Sequence, residues 1–203
     1  VFNALFISSF VLYLNMTIWS QQTFLIVVYA LSSGIISYLL AVLLSPYIEV
    51  LFSENAVLTL TELSNPNSSL LKELLTKAPG TYHHSLMVAN LSANAVGAIG
   101  GDSLFARVAC YYHDVGKLRH SLFFVENLPP GMENPHNLLT PFESKEIIFG
   151  HVSEGVKMLE AAKLPQSIID ICAQHHGTTL MKYFYVAAKE KDDTVLESDF
   201  RYP

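Results

Sequence analysis

The chain changes character at its first charged residue. From Val1 to Ile48 there is no Asp, Glu, Lys, Arg or His, and the apolar residues run on without a regular polar face. Thr23 to Leu44 is a run of 22 such residues. As a helix rising about 1.5 Å per residue it reaches roughly 33 Å, enough to cross a hydrocarbon layer of about 30 Å. Its Gly and Ser positions suit close helix packing in lipid. Val1 to Trp19 is a second apolar stretch, with Trp19 placed as an interfacial aromatic, and only Ser20, Gln21 and Gln22 separate the two. The pattern predicts an antiparallel pair of transmembrane helices over 1–45. A signal peptide would need a basic n-region ahead of the apolar run, and none is there. The first span starts abruptly and without Met, so the pair is expected to be the end of a longer membrane region.

Beyond Ile48 the apolar positions fall at helical spacing and no alternating strand pattern occurs, which predicts an all-α domain. A linker over 46–80 carries a turn at Asn65-Pro66-Asn67 and a short amphipathic helix from about Ser69 to Lys77, ended by Ala78-Pro79-Gly80. Thr81 is placed to cap a helix to about Ile99, and Ser103 to His113 reads as the next. Lys117 to Asn137, rich in Pro, Gly and Asn, reads as a long loop. Thr140-Pro141 is an N-cap followed by Pro at N1, opening a helix through His151 toward Lys163. Leu164-Pro165 repeats that signal for a helix ending at His175-His176-Gly177, and Thr178 or Thr179 can cap a last one to about Lys189. The helical domain is expected over 81–203.

Composition sharpens the division. The 203 residues are 51% apolar and 15% charged, with a net charge of -6 and a mean hydropathy of +0.33. All charged side chains and all eight histidines lie from Glu49 onward, so the low charge is an average over two unlike parts. An acidic chain without a basic patch is not a binder of DNA or RNA polymers. Cys110 and Cys172 sit in apolar helical segments and read as reduced core thiols.

Candidate chemistry lies in the histidines. His83-His84 falls in the first turn of one helix, His113-Asp114 at the end of another, His151 inside a third, and His175-His176 closes a fourth. A single helical histidine says little, but this set mixes imidazole nitrogen with carboxylate oxygen, a donor combination suited to Fe, Mn or Zn. No cysteine joins it, which argues against a structural zinc. Lys117, three residues after Asp114, reads by itself as a solvated loop lysine. His120 carries no motif, and His136 has an open role. Tyr82, Tyr183, Phe184 and Tyr185 could stack on a base, although aromatics at that density are commonly core.

His113-Asp114-Val115-Gly116-Lys117, with His84, His151 and His175-His176 at spacings of 29, 37 and 24 residues, resembles the HD superfamily of metal-dependent phosphohydrolases in its bimetallic form. PGTYHHSLMVANL, RVACYYHDVGK, ENPH, QHHGTT and FRYP are similar to one branch of it, the seven-transmembrane HD (PgpH-type) cyclic di-AMP phosphodiesterases of bacteria. The resemblance implies an HD helical bundle with His84, His113 and Asp114 on one metal and Asp114, His151, His175 and His176 on the other, Asp114 bridging. It implies two divalent transition-metal ions, Mn or Fe. It gives Asp114 and Lys117 as catalytic, with Lys117 and His83 facing the substrate, His83 from behind the ligands or on phosphate, a plain solvent-exposed histidine being the equal alternative.

The implied reaction is hydrolysis of cyclic di-AMP to linear pApA by a multi-pass protein of the bacterial cell membrane whose HD domain is cytoplasmic. Its partners are then a cyclic dinucleotide and membrane lipid, with a homo-oligomer left open. Two alternatives are a hydrolase of another cyclic dinucleotide such as cyclic di-GMP, and a membrane receptor whose HD domain binds a nucleotide without cleaving it. The GYP signature of the cyclic di-GMP enzymes is replaced here by HHGTTLMKYFY. The family pattern also has an Asp ligand roughly forty residues after the paired histidines. The chain ends 27 residues after His176, and Asp192, Asp193 and Asp199 come too early. The expectation is therefore an HD domain incomplete at its C-terminus, with weak occupancy at one metal.

Overall fold

The computed structural model describes Phe6, Ser9, Phe10, residues 21–53 and residues 55–202. It forms two compact units, Val1–Ser53 and Glu54–Pro203. The expected first span, Val1 to Trp19, otherwise lies outside the described residues.

In the first unit, α1 runs over Gln21–Phe52, with Pro46 inside it. The segment Phe24–Phe52 has a mean hydropathy of 2.2 and none of it is buried. Phe24, Ile35, Leu39, Leu43 and Leu51 are exposed on a helix apolar all round, a pattern that only an apolar surrounding stabilises. Among the described residues this is the one helix long and apolar enough to cross a membrane. It extends beyond the expected boundary at residue 45, because Pro46 and Glu49 are both accommodated in its last turns.

The second unit is all-α, as expected: α2 (Val57–Leu63), α3 (Ser69–Lys77), α4 (Pro79–Ala98), α5 (Ser103–Tyr112), α6 (Pro141–Ala161), α7 (Gln166–Gln174) and α8 (Lys182–Lys189). The stretch from α1 to α4 is more than a tether. Leu60 of α2 and Leu71 and Leu74 of α3 join Tyr82, Val108, Tyr112, Val115, Leu159, Ile168 and Cys172 in one core. At about 1.5–3 kcal/mol for each large side chain removed from water, these two short helices are bound firmly to it. The Tyr112 hydroxyl, buried with its ring, donates to the Leu63 carbonyl at 2.8 Å and so fastens the end of α2 to α5.

Three expected helix starts differ. Thr81 does not cap α4: the helix already begins at Pro79, whose missing N–H and fixed φ suit N1, and Thr81 is fully buried. Pro165 is the N-cap of α7, not its first helical residue. Neither Thr178 nor Thr179 caps α8, which starts from Met181; the Thr179 hydroxyl instead donates back to the His176 carbonyl at 2.7 Å. The Thr140 start holds, with a reciprocal capping box between Thr140 and Glu143.

The expected long loop is largely wound into 3-10 segments, Val115–Phe123, Val125–Asn127 and Pro135–Leu138. Its Gly, Pro and Asn content prevents a long α-helix but permits short i→i+3 turns. Gly116 explains where the first of these lies. A Cβ there would fall 1.8 Å from the His151 carbonyl oxygen and 2.4 Å from the Gly155 nitrogen, so the turn rests backbone on backbone against α6. That contact sets the residues on either side of it, Asp114 and His151, face to face.

The C-terminal stretch folds back on itself. Leu180 and Arg201 form an antiparallel bridge, the Met181 N–H donates to the Phe200 carbonyl at 2.8 Å, and the Tyr202 N–H donates to the Thr179 carbonyl at 3.2 Å. A small second core of Ala188, Val195 and Phe200, with Phe184 and Tyr185 against it, holds this strap in place.

Candidate metal centre

Four helix ends or faces deliver histidines to one carboxylate. His113 is the C-cap of α5 and Asp114 follows it; His151 lies on the buried face of α6; His175 is the C-cap of α7, with His176 next; His84 is on the first turns of α4. Asp114 is at the centre, with only 4% of its side chain exposed. Its two oxygens face different neighbours. Oδ2 is 3.2 Å from His113 Nε2 and 4.0 Å from His84 Nε2, while Oδ1 is 3.4 Å from His151 Nε2 and 3.6 Å from His175 Nε2. Two groups of donors result, each with its ligand atoms within 4.8 Å of one another: His84, His113 and Asp114, and Asp114, His151, His175 and His176.

Three imidazoles are fixed in the same way. His113 Nδ1 donates to the Cys110 carbonyl at 2.8 Å, His175 Nδ1 to the Cys172 carbonyl at 2.7 Å, and His151 Nδ1 to the Ile148 carbonyl. Each bond runs three residues back along the ring's own helix, fixes the tautomer and turns Nε2 toward Asp114. His176 is held otherwise, its ring stacked on Tyr202 at 4.2 Å between centroids and 14° between planes.

The electrostatics match a cation site. Burial by itself would raise the Asp114 carboxyl, but His113, His175 and Lys117 outweigh it and hold Asp114 well below the usual carboxylate range. Burial pushes His151 down to about 4, and burial first, with the crowding of neighbouring imidazoles that would repel a further positive charge, pushes His176 down to about 4. Both rings are therefore neutral, with a lone pair to donate. Burial also acts against a charge on His113, yet the bond to Asp114 and its charge raise it overall. Asp114 Oδ1 is buried with no hydrogen-bond partner, and His151 Nε2 and His175 Nε2 approach within 3.4 Å of each other beside it. An ionised oxygen left unpaired among converging imidazole nitrogens is the geometry that a divalent cation completes.

The structure thus brings together His84, His113, Asp114, His151, His175 and His176. Lys117 adjoins them, but not as a solvated rim charge: its side chain is 14% exposed, with Nζ 2.9 Å from Asp114 Oδ2, 2.9 Å from Glu126 Oε1 and 5.0 Å from the Phe124 ring centre. His83 stands apart from the cluster, exposed, its ring 5.7 Å from that of Tyr82. His120 lines a cavity of about 370 Å³ with Arg119, Phe124, Ile147 and the His151 position. His136 is structural, donating from Nε2 to the Phe123 carbonyl at 3.0 Å and packing against Phe184. Of the aromatics considered for base stacking, Tyr82 is core and only Tyr183 is largely exposed, at 78%. Glu126 and Tyr202 belong to the site and carry no motif of their own; FRYP marked the second only by resemblance.

An all-α bundle with this His-Asp constellation is that of the HD domain family, to which the chain belongs and which it matches over residues 81–199. It is 46% identical over 200 residues to the cyclic-di-AMP phosphodiesterase PgpH of Listeria monocytogenes, covering 98% of this chain and 28% of that protein. It is 49% identical over 171 residues to the cyclic-di-AMP phosphodiesterase PgpH of Bacillus subtilis, covering 84% and 24%. The crystal structure of the L. monocytogenes PgpH HD domain in complex with cyclic-di-AMP is similar at a TM-score of 0.65 and 54% identity, over 68% of this chain and 64% of that one. The chain spans about a quarter of the length of the curated relatives it matches.

Proposed function

We propose that this chain carries the catalytic domain of a membrane-anchored, metal-dependent phosphodiesterase that opens cyclic di-AMP to linear pApA. What carries the reading is Asp114, whose two oxygens each face a separate set of histidine donors. The similarity to chains named cyclic-di-AMP phosphodiesterase supports the substrate.

In this reading His84, His113 and Asp114 hold one divalent ion, and Asp114, His151, His175 and His176 the other, with Mn or Fe the metals of choice for a nitrogen and oxygen set without thiolate. Such a pair supplies Lewis-acid charge to the phosphoryl oxygens and activates water near neutral pH. The protein's own part is positioning. Asp114 spans both donor sets as a carboxylate can and an imidazole cannot. The Nδ1 bonds of His113, His151 and His175 hold each ring with Nε2 inward. Lys117 offers a fixed ammonium to a phosphate oxygen. His83, exposed one residue before His84, is assigned to the substrate side and not to a metal.

We assign residues 1–45 and their continuation in α1 to a multi-pass membrane region, and 81–203 to the HD domain, with α2 and α3 of the expected 46–80 connection packed into that domain's core. The domain faces the cytoplasm, where a nucleotide messenger would meet it. The experiment that tests the function is incubation of membranes carrying the chain with Mn or Fe and either cyclic di-AMP or cyclic di-GMP, the product followed by chromatography. Release of pApA in preference to the guanine product is expected. Preferential cleavage of the guanine dinucleotide would move the substrate, and binding without cleavage of either would make the protein a receptor.

A further inference from the structure

Glu126 closes a network with no obvious place in metal binding. Its Oε1 accepts from Lys117 Nζ at 2.9 Å and from the buried Thr81 hydroxyl at 3.1 Å. The Thr81 hydroxyl in turn accepts from Asn127 Nδ2 at 2.8 Å, and Asn127 Oδ1 accepts from the Thr81 N–H at 3.0 Å. The same Nδ2 reaches the Ser121 carbonyl at 3.3 Å. Beneath this lies a close backbone contact: a Cβ on Gly80 would come 1.8 Å from the Glu126 carbonyl oxygen. The turn Val125–Asn127 is therefore pressed onto the first turn of α4 and cannot slide. Glu126 is held from three sides, and one of its partners is the lysine of the site.

The lysine has two anchors of unequal permanence. Asp114 Oδ2, 2.9 Å from Nζ, is also the oxygen that faces His113 and His84. Any cation taken up by that donor set competes directly with the ammonium for the same oxygen. Glu126 lies outside both donor sets and has no such competitor. The geometry points to Glu126 as the positioning residue for Lys117: it retains the ammonium beside the donor cluster once Asp114 is engaged elsewhere, and so sets the distance and angle at which Lys117 meets a phosphate oxygen. This rests on the phosphodiesterase reading above and adds a positioning residue to it.

A double-mutant cycle with two readouts tests it: kcat/KM for cyclic di-AMP, and the Kd of a phosphorothioate analogue for the Mn-loaded chain. E126Q, nearly isosteric, should lower kcat/KM and weaken analogue binding by about 10- to 100-fold, the range for partners that orient a functional group. Mn affinity should fall by no more than a few-fold, the ammonium leaning harder on Asp114 Oδ2 once its other anchor is weakened. In the K117M background E126Q should change neither readout by more than about twofold, because the group it positions is already gone. T81V, which removes the hydroxyl that holds Glu126, should show a smaller loss of the same kind and stands in if E126Q melts early. Equal losses from E126Q with and without Lys117, or loss of Mn on E126Q, would overturn the assignment. A parent chain that binds the analogue without cleaving cyclic di-AMP would sink the proposed activity alone, since the cycle can still be read on Kd. One that does neither would sink both.

Discussion

Asp114 concentrates the chemistry of the whole domain in one side chain. A buried carboxylate among four imidazoles and an ammonium is costly to solvate poorly and costly to leave half-paired. Asp114→Asn keeps the shape and removes the charge both donor sets need. It should abolish detectable turnover and weaken Mn binding by well over the roughly 10- to 100-fold typical of outer-shell changes, as measured by calorimetry on the membrane-extracted chain. Lys117→Met separates the two roles of the lysine. Removing a positive charge 2.9 Å from Asp114 should tighten Mn binding a few-fold while kcat/KM falls. If Mn binding weakens instead, the lysine supports the metal site and does not compete with it.

At the scale of elements, the site depends on how closely two backbones approach. The turn after Asp114 can rest on α6 only because Gly116 and Gly155 meet there without side chains, Gly116 N lying 3.3 Å from where a Cβ on Gly155 would be. Gly116→Ala should cost about 1–3 kcal/mol of stability by overpacking and, by prising Asp114 from His151, reduce metal uptake as well. Thermal melts with and without Mn would show both effects together. Tyr202→Ala removes the ring stacked on His176, an aromatic pair worth about 0.5–1.5 kcal/mol. That should loosen metal affinity by up to roughly tenfold, with Tyr202→Phe close to the parent.

These elements also mark what could be read from the chain. The candidate donors stood out in the sequence as a set of histidines with one adjacent carboxylate, several of them at helix ends that local signals place, while their grouping into two metal sets came only from the resemblance to the HD superfamily. His113 and His175, both C-caps, are the clearest cases. Glu126 and Tyr202 were not, since an acid in a polar loop and a tyrosine after Pro-poor charged sequence look ordinary until folding sets them against Lys117 and His176. Thr81 misled for a related reason: its hydroxyl suits a cap, but tertiary contact with Glu126 and Asn127 claims it.

For the molecule as a whole, the two units answer to different surroundings. α1 is apolar all round, and the chain should partition with membranes and resist salt extraction, whereas the second unit should respond to metal. A ligand bound at about a hundredfold excess over its Kd stabilises the folded state by about 2.7 kcal/mol. For a unit of this size that is a shift of roughly 5–10 °C in Tm. Chelation should therefore lower the main calorimetric transition by that amount and restoration of Mn should reverse it. An unchanged transition would mean that the cluster holds no ion with useful affinity.

The Nδ1 bonds from His113, His151 and His175 to carbonyls of their own helices have a mechanical consequence. A ring pinned three residues back along its helix keeps its aim only while that turn stays wound. Unwinding the end of α7 would swing His175 and His176 away together, so under the proposed ligand assignment release of an ion and fraying of the helix become one event. Amide hydrogen exchange over Ala173 to Gly177 should slow when Mn is added and quicken when it is withdrawn, making those few amides a gauge of occupancy that needs no substrate.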